Sequence, residues 1–207
     1  VLDLHCDDEG MPYLYVPKEL WPAMEDCAAA MGVAAVLLWE GASGAAFEEA
    51  SVHPYLGGDK ARLQRQVVTT VEYRGVSDVY RDLAKSDADG LYRLLVGRGV
   101  IADPSIAKAG PFKGIVAPLE NIDMMPAPKA GAILYHVKPG DHVKKGDLLA
   151  TIVHAPGEAG GRADVTAPQA GYILTRRSHR ITRSGDDLLK LVGSVRSDDA
   201  RSGALEV

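Results

Sequence analysis

The chain is poor in cysteine: Cys6 and Cys27 are its only two among 207 residues. Two cysteines do not make a disulfide framework, so a reducing cytoplasm is the expected compartment. There is no excess of positive charge. Twenty-three Lys and Arg against 28 Asp and Glu leave a net charge of −5, which gives no electrostatic reason to expect nucleic acid. No apolar run approaches the roughly 18 residues of a membrane span, so no membrane role is expected. No secretory leader pattern is visible. At 46% apolar and 25% charged, the composition is that of a globular chain with room for one large domain or two smaller ones.

What is present divides in two. Over the first hundred residues, strand-like and helix-like stretches alternate. Val1–His5, Tyr13–Val16, Ala34–Trp39 (AAVLLW) and Val67–Tyr73 (VVTTVEY) read as strands. Lys18–Met31 reads as a helix, because Leu20, Met24, Cys27 and Met31 recur at steps of four, three and four, with Gly32 as its C-cap. Gly44–Ser51 reads as a short helix. Ser77 is the expected N-cap of a helix over Asp78–Leu95, interrupted near Asp87–Gly90. The alternation predicts an α/β class with an open mixed sheet and flanking helices over 1–105.

Beyond residue 100, which holds eight of the twelve prolines, helical periodicity disappears. An all-β domain is expected at 112–193, followed by a frayed polar tail at 194–207. This domain repeats itself. APKAGAILYHVKPGDHVKKGDLLATI at 127–152 matches APQAGYILTRRSHRITRSGDDLLKLV at 167–192, with a slip of one in the central turn. Two copies this short suggest interlocking β halves. The pattern resembles the biotinyl/lipoyl carrier fold, whose carriers attach their cofactor to a hairpin lysine. The corresponding hairpin, 153–162, holds none, and no lysine occurs between Lys145 and Lys190. The fold is therefore expected and the carrier role is not.

Two motifs could do chemistry. In Asp3-Leu4-His5, residues i and i+2 share a strand face, so Asp3 can orient the His5 imidazole. In VVTTVEYRG, Glu72 interrupts an apolar strand. A carboxylate so placed either forms an ion pair, with Arg74 the nearest candidate, or acts as a general base. DLH at 3–5, TVE at 70–72 before Gly75, their spacing and the appended β domain together resemble the succinylglutamate desuccinylase/aspartoacylase family, relatives of the zinc carboxypeptidases. The resemblance implies one zinc per subunit, with His5 as a metal ligand, Asp3 behind it and Glu72 as the base. It implies hydrolysis of the amide of an N-acyl amino acid, a small-molecule substrate, and it leaves room for a homo-oligomer.

The family's His-x-x-Glu ligand pair has no counterpart among the six histidines at 5, 53, 136, 142, 154 and 179. In the family this pair precedes the DLH strand, so the chain reads as the C-terminal part of a longer enzyme and is expected to bind zinc poorly by itself. Cys6 should point away from His5, since neighbours on a strand alternate faces. Asp7, Asp8 and Glu9 form either an acidic rim favouring a cationic substrate or a loop paired with Lys and Arg. Arg62, Arg65 and Arg74 are candidates for a substrate carboxylate. His53 is a candidate for the site mouth, with a surface-loop histidine the simpler reading, and Tyr13, Tyr15 and Tyr73 are candidate substrate contacts, with packing the simpler role for each. The alternative function is a non-catalytic binding or assembly module.

Overall fold

The computed structural model describes residues 1–21, 23–41, 47–56, 58–201 and 205. The chain forms two compact units. The first comprises Val1–Cys6 and Pro12–Val116, the second Asp7–Met11 and Ala117–Val207.

The first unit is built on strands β1 (Leu2–Asp7), β3 (Tyr13–Pro17), β4 (Ala35–Trp39), β5 (Thr69–Gly75) and β6 (Ile115–Pro118), in the order β1-β5-β3-β4-β6. The short β2 (Glu9–Gly10) belongs to the other unit. β3 runs parallel to β4 and antiparallel to β5, so the sheet is mixed as expected. AVLLW is a continuous apolar run because both its faces are covered; Ala35, Val36 and Leu37 are fully buried.

The apolar stripe of the first helical stretch is buried as its spacing predicts, with Leu20, Met24 and Cys27 at 0% exposure. The stretch is not one helix. A 3₁₀ turn covers Lys18–Leu20, Trp21 is extended (φ −87°, ψ 137°), and α1 runs only from Glu25 to Met31. Trp21 precedes a proline, whose ring disfavours the helical region for the residue before it. Helix α2 (Glu49–Val52) overlaps the end of the expected 44–51 helix, and Gly44–Ala46 lie outside the described residues. A short α3 covers Lys60–Leu63.

Helix α4 (Arg81–Gly97) starts later than expected and runs unbroken through Asp87–Gly90. Ser77 lies instead in a turn where the Asp78 carboxylate accepts a bond from the Gly75 N–H at 3.0 Å. Gly90 marks a close helix crossing rather than a break. A Cβ there would sit 3.0 Å from Met31 Cα and 3.2 Å from Met31 O.

The second unit carries the repeat. The first copy contributes β8 (Gly131–Tyr135), β9 (His142–Val143) and β10 (Leu148–Val153). The second contributes β12 (Gly171–Arg176), β13 (Ile181–Thr182) and β14 (Asp187–Gly193). β7 (Ile122–Pro126) precedes both copies and β11 (Arg162–Thr166) lies between them. The copies exchange their short middle strands: β9 pairs with β12, and β13 pairs with β8. Turn bonds follow the same exchange. Gly146 N–H donates to Ala167 O and Gly185 N–H to Ala127 O, each at 2.8 Å. Gly146 and Gly185 have φ of 87° and 88°, a region open to glycine at little steric cost. That explains the shared glycine, and the aspartate after it accepts the N–H three residues back, Lys144 to Asp147 at 2.7 Å and Arg183 to Asp186 at 2.9 Å.

Two features depart from expectation. Residues 7–11 join this unit: β2 pairs antiparallel with Thr175 and Arg176 of β12, and Met11 N–H donates to Leu174 O at 3.0 Å. The tail is also held where it is described. Arg201 makes a bidentate pair with Asp187 at 2.6 and 2.9 Å, Ser197 N–H donates to Glu120 O at 2.8 Å, and Leu205 is buried.

Candidate functional site

The order of the first sheet places β1 beside β5. The Val1 amine donates to Val67 O at 2.5 Å, and Thr69 N–H donates to Val1 O at 3.2 Å. Bonds that bracket one residue between j−1 and j+1 are the parallel pattern, so Val1 stands beside Val68. Continued along the strands, this register puts Asp3 beside Thr70 and His5 beside Glu72. On the other side of β5, Glu72 pairs with Tyr13 and Thr70 with Tyr15. Side chains in register share a sheet face. One face thus carries Asp3, His5, Thr70, Glu72, Tyr13 and Tyr15.

Asp3 Oδ2 lies 3.1 Å from His5 Nε2. With Nε2 held there, Nδ1 is the ring nitrogen left for a ligand. The His5 side chain is 48% exposed, whereas Glu72 is 9% exposed. Tyr13 is fully buried and meets Tyr15 edge-on, with ring centroids 5.3 Å apart. Cys6 is exposed.

Sequence reasoning did not single out Glu48 and Glu49, which are 2% and 3% exposed. Thr70 Oγ1 donates to Glu48, and His53 Nε2 lies 3.1 Å from Glu49 Oε2, with its ring 6.4 Å from that of Trp39. His53, a candidate for the site mouth, is thereby placed beside a buried carboxylate. Adjacent acids at a helix start usually read as a solvated, dipole-favourable N-terminus. Their burial comes from tertiary packing, and no local signal reports it.

Two of the three candidate arginines, Arg62 and Arg74, are engaged elsewhere. Arg62 lies over the Tyr55 ring, 4.4 Å from its centroid, and donates to the Tyr55 hydroxyl at 3.2 Å. Arg65 is exposed. Arg74 does not follow the expected same-face course toward Glu72. Its φ is +57°, the one positive value among the described non-glycine residues, so the i, i+2 alternation ends there. Its guanidinium Nη1 donates to both Asp87 oxygens of α4, at 2.8 and 2.7 Å. A non-glycine residue in this conformation costs about 1 kcal/mol or more. Burial, and secondarily the Asp87 charge, push the Tyr73 hydroxyl up to about 12.

Asp7, Asp8 and Glu9 are all partnered inside the second unit. Asp7 Oδ2 lies 2.5 Å from the Nζ of Lys190. Asp8 accepts two bonds from Ser178, at 3.0 Å from the hydroxyl and 3.3 Å from the N–H. Glu9 lies between Arg176 and Arg180, at 2.6 and 2.5 Å, and both guanidiniums lie over the Tyr135 ring at 5.1 and 5.0 Å.

Among the described residues no group of three or more His, Cys, Asp or Glu converges to hold a metal ion. The donor set fits one imidazole ligand with its carboxylate behind it. It does not make the three-ligand site of a catalytic zinc.

No protein-family model matches the sequence, and no curated protein matches it. Solved structures do. The chain superposes on a succinylglutamate desuccinylase/aspartoacylase family protein from Shewanella amazonensis SB2B with a TM-score of 0.80 and 26% identity, over 94% of this chain and 54% of that one. It matches a second such protein, from Shewanella frigidimarina NCIMB 400, with TM-score 0.80 and 23% identity over 94% and 53%. The ectoine utilization protein EutE (DoeB) from Ruegeria pomeroyi matches with TM-score 0.70 and 17% identity over 93% and 57%. The chain spans about half the length of the solved structures it matches.

The mixed α/β architecture is therefore that of the desuccinylase/aspartoacylase fold. Its structural neighbours are succinylglutamate desuccinylase/aspartoacylase family proteins, the family that the DLH and TVE motifs resemble. The desuccinylase and aspartoacylase names among these neighbours are those of deacylases. Among the described residues no helix is long and apolar enough to cross a membrane.

Proposed function

We propose that this chain forms part of a zinc-dependent amidohydrolase that removes the acyl group from an N-acyl amino acid. The observation that supports it is the register that sets His5 beside Glu72 on neighbouring strands, with Asp3 on the imidazole. His5 is assigned as one metal ligand through Nδ1, and Asp3 orients its ring. Such a zinc, when bound, polarises the amide carbonyl and acidifies water. The Glu72 carboxylate accepts a proton from the attacking water and passes it to the departing amine. Burial among Tyr13 and the strand interior limits water at this carboxylate.

The ion pairs of Asp7 and Glu9 compensate those charges within their own unit, so these acids lend no support to a cationic substrate. The exchanged strands of the second unit support the biotinyl/lipoyl-like reading of its fold, in a non-carrier role. The enzyme is placed in the cytoplasm on its cysteine usage.

Glu72→Gln in the full protein tests the reading. Turnover of N-succinylglutamate and related N-acyl amino acids should fall by at least about 100-fold, the usual worth of a general base, while zinc content stays unchanged. Near-normal turnover removes Glu72 from the role, whereas no turnover of any N-acyl amino acid by the unaltered full protein favours a non-catalytic module.

A further inference from the structure

Arg74 stands two residues after Glu72, and on an extended strand it would share Glu72's face. A guanidinium against a carboxylate stabilises its charge and lowers its basicity, which weakens it as a proton acceptor. The chain prevents this approach in two ways. Arg74 adopts φ +57°, the one such non-glycine residue described. Its guanidinium is then tied to both oxygens of Asp87 on α4, in a pair whose side chains are 19% and 20% exposed. Just beyond, Asp78 holds the Gly75 N–H at 3.0 Å and the Asp78 N–H donates to Gly75 O at 2.9 Å, which fixes the turn. Strained backbone of this kind persists only when its surroundings hold it, and it concentrates at functional sites.

We propose that Asp87 is a positioning residue that sequesters Arg74 and keeps its cation off the Glu72 carboxylate. This rests on the reading of Glu72 as the base. Asp87 touches neither substrate nor metal in this account; it acts through Arg74.

The test is epistasis in the full protein. Asp87→Asn should release Arg74 and lower kcat for N-succinylglutamate or another accepted N-acyl amino acid by about tenfold or more, with KM little changed. Adding Arg74→Gly to Asp87→Asn should restore kcat, because glycine keeps the left-handed turn and carries no cation. A structural role alone predicts a loss and recovery of folded fraction, with kcat per folded molecule unchanged in both variants. Rates are scored on the folded fraction from circular dichroism. An Asp87→Asn variant with unchanged kcat, or a loss that Arg74→Gly does not recover, overturns the proposal.

A second arm needs no turnover: a crystal structure of Asp87→Asn. The Arg74 guanidinium should move to within hydrogen-bond distance of Glu72, and its staying away overturns the proposal. Failure of the base reading is separate, since Glu72→Gln with normal turnover sinks that reading whatever Arg74 does.

Discussion

Lys190 and Asp7 form a buried ion pair, Nζ to Oδ2 at 2.5 Å, with side chains only 1% and 7% exposed. Lys190 stands on β14 opposite Met124, in the heart of the all-β unit. Taking an ammonium and a carboxylate out of water costs several kcal/mol each, and the attraction between them roughly offsets that cost. Removing one partner leaves the other charge buried.

Lys190→Met should therefore destabilise the chain by about 3 kcal/mol. Combining it with Asp7→Leu should recover most of that loss, because no uncompensated charge remains. Urea denaturation of the two single variants and the double variant gives the coupling energy. Purely additive losses would show that the pair is not a closed unit.

The same pair shows what could be read from the sequence. The strands announced themselves through β-branched and apolar runs, and the buried stripe Leu20, Met24, Cys27 through helical spacing. The repeat was legible because both copies need Gly-Asp at the same left-handed turn. His5, Asp3 and Glu72 were legible because charged or titratable residues interrupt strands, and parallel register then brings them together. Asp7–Glu9 were not. The fate of an acidic run depends on distant residues such as Lys190, Arg176 and Arg180, about 170 positions away, and no local pattern encodes that pairing. Glu48 and Glu49 were missed for the same reason, since only tertiary packing buries them. The turn at Arg74 was hidden because arginine gives no hint of positive φ, where a glycine would have.

The two cysteines should differ in reactivity. Cys27 is fully buried, and burial pushes its thiol up to about 12, against a smaller opposing pull from the Arg98 guanidinium. At pH 8 its thiolate fraction is on the order of 10⁻⁴. Cys6 is exposed. Ellman's reagent at pH 8 should titrate one thiol in the native protein, and the second only after denaturant is added. Two rapidly reacting thiols would contradict the burial of Cys27.

Tyr73 gives a pH-dependent prediction with a defined sign. Its hydroxyl is buried without a hydrogen-bond partner, and burial raises it from 10 to about 12. Between those values the unfolded chain has lost the phenolic proton while the native chain keeps it. The native state then binds more protons, so stability falls as pH rises through this window and is independent of the group below pH 10. Tyr73→Phe should flatten that alkaline loss. At pH 7 it should leave stability unchanged or raise it by up to about 1 kcal/mol, since it removes an unsatisfied buried hydroxyl while keeping the ring. Urea melts of both proteins at pH 7, 9, 10 and 11 check both statements. A marked loss at pH 7 would mean that the hydroxyl makes a stabilising bond in solution. An unchanged alkaline slope would assign the loss to Tyr135 instead, whose hydroxyl burial likewise pushes up to about 12 and which donates to Leu188 O at 2.7 Å.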